Sequence, residues 1–344
     1  MRDSWATPRT GASIVTPSYD YSLYGLTVQS DMPLPLDEVV SPAVAPPDVT
    51  MIGGGPEAVA PPFDGVVMSE WRCHCPSHAG RFVMRVMRDD AQIRVWNDDA
   101  GICDIVDDGR RVVIYTSGND DTRHPMLGHL LTGIVSILLL YQRRQIVTLH
   151  ASGVVIDDRA AIFLGRKGQG KSTMAAGFLR RGAALLTDDL LPLLRTEDGI
   201  DGVPGTATMK LWDESVEHAL GYAGEASPIG PDLPKKLIEL HGQYDIASSP
   251  VRLKRIYLLD RYEPANVDDA TIAIVPVRPA NALVSVIAQT PLRNYLPKQM
   301  FAELLPVLTQ LVNQVSVNVI RFPSGYALQD AVLDHIEADL RRAP

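Results

Sequence analysis

The stretch that most constrains this chain is GRKGQGKS, residues 165–172. It fits the G-x-x-x-x-G-K-[ST] phosphate loop at all four fixed positions. AAIFL before it is a short apolar run of strand length, and STMAAGFLRR after it has helical composition. Strand, glycine-rich loop and helix is the order the motif needs, because the glycines let backbone N–H groups turn inward around phosphate oxygens at a helix N-terminus. Gly165, Arg166, Lys167, Gly168, Gln169, Gly170, Lys171, Ser172 and Thr173 are therefore the predicted nucleotide-binding residues. Among them Lys171 is placed to reach the β- and γ-phosphates, and the Ser172 hydroxyl to hold a magnesium ion.

The chain has 344 residues, enough for two domains on length alone. Its net charge of −9 argues against a protein that coats nucleic acid, which needs a surplus of lysine and arginine. Only three cysteines occur, Cys73, Cys75 and Cys103, so no disulfide framework is implied and a reducing cytoplasm fits. The opening MRDSWATPRTGAS lacks an apolar signal core. The longest apolar run, residues 127–141, is interrupted by His129 and falls short of the roughly 20 residues of a membrane span. It reads as a buried helix, and the expectation is a cytoplasmic protein with no membrane partner.

Residues 1–18 are polar and aperiodic, the pattern of a loose tail. Residues 19–28 read as a strand, and proline and glycine then cluster from 33 to 62. RFVMRVM, QIRVW, GICDIV and RRVVIYT alternate as strands separated by acidic turns, so residues 19–125 are expected to form a β-rich domain. The remainder, 126–344, would hold the phosphate loop. Cys73, His74, Cys75 and His78 form C-H-C-x-x-H, but no second cluster completes a zinc spacing, and two half-buried side chains on one strand face account for the cysteines.

Two features flank the loop. His150 lies upstream in LHASGVVI, and Asp188 and Asp189 lie downstream in LLTDDLL. Phosphoryl transfer to a hydroxyl needs neutralised phosphates, an in-line acceptor and a group to take the proton. Adjacent carboxylates in an extended segment are expected to point to opposite sides, leaving one to act as base while the other meets magnesium. Taken singly, an acidic residue here would serve any phosphate-loop NTPase as a metal ligand, and His150 could be a satisfied core histidine.

Together, LHASGVVI, GRKGQGKS and LLTDDLL in this order resemble the catalytic core of the HPr kinase/phosphorylase family. The resemblance covers residues 145–195. It implies an α/β (α+β) fold related to phosphoenolpyruvate carboxykinase, in which a mixed sheet carries the loop, with ATP and Mg2+ as ligands. It further implies that Lys171 binds phosphate, Ser172 and Asp189 serve the metal, Asp188 is the base, and His150 is a second catalytic residue. Relatives are often hexameric, so a homo-oligomer is compatible.

The family's glutamate-bearing metal segment is replaced here by TMKLWDES, leaving Asp213 or Glu214 as the nearest substitute. YGLTVQSDMPLPL (residues 24–36) and KLWDES (residues 210–215) resemble instead a divergent branch similar to lasso-peptide tailoring kinases. That resemblance implies a serine hydroxyl of a peptide or protein as acceptor, the C-terminal serine of a lasso-peptide precursor in particular. Of the basic residues Lys210, Lys235, Lys236 and Arg293, Lys210 and Arg293 are the proposed substrate contacts, Lys210 preferred. The alternatives are a small-molecule phosphotransferase or phosphorylase on the same fold, and a nucleotide-gated binding module.

Overall fold

The alternating runs of the first third pair into one eight-stranded sheet. The computed structural model describes residues 18–39, 45–54, 59–72, 82–116, 125–222, 226–230, 233–265 and 270–342. Its first strands are β1 (Tyr19–Leu23), β2 (Leu26–Ser30), β3 (Val49–Gly53), β4 (Val66–Arg72), β5 (Phe82–Arg88), β6 (Ile93–Asn97), β7 (Gly101–Val106) and β8 (Arg111–Tyr115). They lie in the order β1-β2-β3-β8-β7-β6-β5-β4. The stretch expected as a single strand over 19–28 is instead a hairpin. Tyr24 and Gly25 both take left-handed backbone, φ 53° and 79°, the conformation of a tight two-residue turn whose twist suits paired strands. Arg94 and Asp104 face each other across β6 and β7 as a buried ion pair with two contacts of 2.6 Å. The cluster Cys73, His74, Cys75 and His78 lies outside the described residues, as does nearly all of the expected tail.

The apolar run becomes α1 (Pro125–Leu130) and α2 (Ser136–Arg144), joined through a π-helical turn in which Gly133 leaves helical geometry. Among the described residues this is the one helix long and apolar enough to cross a membrane, with 19 residues and mean hydropathy 1.3. Its leucines are packed inside the fold. Leu127, Leu131, Leu138 and Leu139 are fully buried in one hydrophobic cluster with Val49 and Val95 of the first sheet and Leu149 and Leu191 of the next.

β9 (Val147–Ile156), β10 (Arg159–Leu164), α3 (Lys171–Arg180), β11 (Ala184–Thr196), β12 (Gly199–Gly202), β13 (Thr208–Leu211), α4 (Asp213–Ser215), β14 (Ser227–Gly230) and β15 (Leu233–Glu239) follow. The last described elements are β16 (Val251–Tyr262), β17 (Ala273–Pro276), α5 (Pro279–Ala288), α6 (Lys298–Ala302), α7 (Leu305–Gln314), β18 (Ser316–Pro323) and α8 (Gln329–Arg341). The second sheet runs β10-β9-β11-β12-β16-β18-β17, and β10 also pairs with β16, so five strands close into a ring. β16 is parallel to β10 and β18, while the other neighbours are antiparallel. β13, β15 and β14 form a small separate sheet. The chain is thus an α/β fold with a mixed sheet carrying the phosphate loop, preceded by a β-rich region.

Side-chain alternation along β10 divides the core. Ile162 and Leu164 join the cluster that contains α5 and α7, and Ala161 and Phe163 join the one that contains α3 and α8. Phe163 stacks on Phe178 of α3 and on Tyr257 of β16, with ring centroids 5.8 and 6.0 Å apart. From α8, Gln329 Nε2 donates to the Thr173 carbonyl at 2.9 Å. These contacts fix the start of α3, and with it the loop, against the sheet.

Candidate active site

The loop leaves β10 at Gly165 and enters α3 at Lys171. Gly168 and Gly170 take φ 88° and 95°, backbone that only glycine adopts at little cost. No side chain caps the N-terminus of α3, so its first N–H groups are open to an anion. Lys171 is 8% exposed, and its Nζ donates to the Gly165 carbonyl at 2.9 Å. Burial lowers its pKa, against the opposing charges of Asp188 and Asp189.

Across from the loop, the β9–β11 register sets Ser152 opposite Asp188, Ala151 opposite Asp189 and His150 opposite Leu190. Asp188 is buried, and the Ser152 hydroxyl donates to its Oδ1 at 2.6 Å while the Lys210 backbone N–H donates to its Oδ2 at 3.0 Å. The expectation that the two carboxylates point to opposite sides does not hold. Asp189 has φ 92°, a left-handed backbone that breaks strand alternation, and both carboxylates line one cavity. Holding a non-glycine residue there costs about 1–3 kcal/mol, offset by the contacts the turned side chain gains.

Those contacts are to a histidine and a lysine. Asp189 Oδ1 lies 3.0 Å from His150 Nδ1, and Asp189 Oδ2 lies 2.8 Å from Lys210 Nζ. Burial by itself would raise the Asp189 carboxyl, but Lys210 and His150 outweigh it and hold it well below the usual carboxylate range. Lys210 Nζ also lies 2.8 Å from His129 Nδ1 on α1. Burial, reinforced by the charge of Lys210, pulls the His129 pKa down to about 4, so the imidazole is neutral and its Nδ1 accepts a hydrogen bond from the Lys210 ammonium. The half-exposed His150 also places Nδ1 3.0 Å from the Asp189 backbone carbonyl, so the tautomer protonated at Nδ1 would leave Nε2 as the ring's acceptor.

The cavity measures about 650 Å³. His150, Lys171, Ser172, Thr173, Asp188, Asp189 and Lys210 all line it, as do Lys167, Gly168 and Gly170. Gly165, Arg166 and Gln169 do not. They border a smaller cavity of about 370 Å³ beside Leu258 and Ser285, and Gln169 Oε1 accepts from the Arg261 backbone N–H at 3.1 Å. Arg293, exposed after α5, is not brought to the site, and on β15 it is Lys235, not Lys236, that lines the cavity. Asp213 and Glu214 also stand on its wall. Sequence reasoning missed Ser152, Arg261, Tyr326 and His129. The first was legible as a small polar residue two positions after His150 on one strand face; the others come from distant elements.

No protein-family model matches the chain, and no match was found among curated proteins. Among solved structures, the Hpr(Ser) kinase/phosphatase from Coxiella burnetii aligns with 57% of this chain and 99% of its own, at 13% identity and a TM-score of 0.29. A score that low carries no argument. The functional reading rests on the site.

The residues present fit a magnesium nucleotide. Among the described residues no three His, Cys, Asp or Glu side chains converge as an all-protein metal cage requires. Magnesium needs less than that, one or two carboxylates plus substrate phosphates and water, and Ser172 with an acidic neighbour on one cavity wall meets the need.

Proposed function

We propose that this chain is an ATP- and magnesium-dependent kinase that transfers the γ-phosphate to a serine hydroxyl of a peptide or protein. The observation that carries the reading is the set His150–Asp189–Lys210 sharing one cavity with an uncapped phosphate loop. A module that only bound nucleotide would have no use for a histidine oriented by a strained carboxylate that a lysine also holds.

The triphosphate would lie over Gly168–Ser172 amides, with Lys171 released from the Gly165 carbonyl to the β/γ-oxygens. The nucleoside would occupy the adjoining cavity of about 330 Å³ past Thr173, walled by Met174, Phe322, Tyr326 and Gln329. Ser172 and Asp188 would hold magnesium, which when bound neutralises phosphate charge. Asp188 suits that side because its charge acts on Lys171 more strongly than that of Asp189.

The proton-accepting role then moves from Asp188 to the His150–Asp189 pair. The serine oxygen attacks the γ-phosphorus, the bond to the β-phosphate oxygen breaks, and the serine proton passes to His150 Nε2. Asp189 orients the ring and stabilises the imidazolium, the logic of a carboxylate–histidine pair. The finest form of the reading, the C-terminal serine of a lasso-peptide precursor, is supported by the sequence resemblance of residues 24–36 and 210–215 alone.

The test is mass spectrometry of serine-containing peptides, a lasso-precursor C-terminus among them, after incubation with the protein, ATP and magnesium. Gain of one phosphoryl group on serine, lost with His150→Gln, is the expected result. ATP consumed with no peptide modified would sink the acceptor assignment, and no nucleotide binding at all would sink the reading.

A further inference from the structure

A second cavity of about 730 Å³ joins the first at Lys210, which lines both. Its walls come from both halves of the chain: the β1–β2 hairpin and residues 35–39 on one side, residues 203–208 and 246–250 on the other, with His129 beside Lys210. The two halves are tied there by the Tyr24 hydroxyl donating to the Thr132 carbonyl at 2.9 Å and by Asp37 facing His241 at 3.3 Å. Burial, then the charges of Asp189 and Asp188, push the Tyr24 phenol up.

The two cavities differ in charge. The first sets Lys167, Lys171, Lys210, Lys235 and Arg261 against Asp188, Asp189, Asp213 and Glu214. Among the described residues lining the second, Lys210 is the sole lysine or arginine, while Asp37, Glu38 and Glu239 are acidic and exposed. Asp37 has His241; Glu38 and Glu239 have no ion-pair partner among the described residues. Leu36, Val39, Val203 and Ile246 lay apolar surface between these charges. Residues 35–39 and 203–208 are largely irregular, non-helical backbone.

We infer that this second cavity is the acceptor cleft, and that it selects an extended polypeptide carrying a lysine or arginine near its acceptor hydroxyl. The inference rests on the kinase reading for the word acceptor and deepens it. The basic side chain would meet Glu38 and Glu239, and the hydroxyl would pass Lys210 to reach His150. A small-molecule acceptor would leave both carboxylates without a role.

The experiment uses the full chain and two fluorescein-labelled hexapeptides ending in serine, one with two arginines and one with two glutamates, read by anisotropy. The arginine peptide should bind about tenfold more tightly, the worth of two partly exposed ion pairs. Glu38→Gln/Glu239→Gln should erase the preference and Glu38→Lys/Glu239→Lys should reverse it; both positions are exposed, so folding is not at stake. Equal binding of the two peptides, or a preference that survives charge reversal, overturns the cleft. Isothermal titration of an ATP analogue into the unaltered chain reports on the nucleotide reading separately. Discrimination between peptides without nucleotide binding keeps the cleft and removes the kinase, whereas serine phosphorylation without discrimination does the reverse.

Discussion

Lys210 Nζ lies 2.8 Å from Asp189 Oδ2, at the point where the two cavities meet. The lysine is the partner that keeps a partly exposed, backbone-strained carboxylate ionised. Lys210→Met should therefore lower the rate of phosphoryl transfer about 100-fold, the scale for losing one preorganised electrostatic contact. Steady-state kinetics would read it in kcat, and a change confined to KM for ATP would count against this placement.

Asp188 and Asp189 should separate by their metal dependence. Asp188→Asn is expected to raise the magnesium concentration needed for half-maximal rate. Asp189→Asn and His150→Gln should each lower kcat by about 100- to 10,000-fold at saturating magnesium. Because the latter two act as one device, the double variant should be little worse than either. Full additivity would show that they work independently.

His129 sets a pH signature. In the unfolded chain a histidine takes its proton near 6.5, whereas in the fold His129 does so at about 4. Between these values the unfolded state binds more protons, so stability falls as pH falls from 6.5 to 4, with a slope of at most about 1.4 kcal/mol per pH unit from this residue. Urea titrations across that window should give a flatter profile for His129→Gln. A slope unaltered by the substitution would assign the acid sensitivity to other groups.

The buried pair in the first sheet predicts a stability effect remote from chemistry. Asp104→Ala leaves the Arg94 guanidinium buried between strands, with the Pro61 carbonyl at 2.7 Å as a remaining acceptor. The expected cost is about 3–5 kcal/mol, measured as a lower denaturant midpoint.

What the sequence disclosed was what neighbouring residues decide. The phosphate loop was legible because its glycines and lysine have fixed spacing, and the strands of the first sheet because alternation is local. The turn at Tyr24–Gly25 escaped because a tyrosine inside an apolar run carries no turn signal until its φ of 53° is seen. Asp189 escaped for a related reason. It stands at φ 92°, paired with His150 and Lys210, which come from other strands. His129 read as a flaw in an apolar helix, and its pairing with Lys210 spans 81 positions of sequence. Arg293 shows the converse: a basic residue of suitable type that the fold leaves on an exposed turn.

The hydrophobic cluster that passes unbroken from Val49 through Leu138 to Leu149 and Leu191 makes the two halves poor candidates for exchange as cassettes. Cutting the chain near residue 125 would strip the partner surface from α1 and α2 and expose leucines on both fragments. Evolution faces the same joinery. Changes of acceptor can be accommodated at the exposed residues 37–39, while the hairpin behind them belongs to the seam itself.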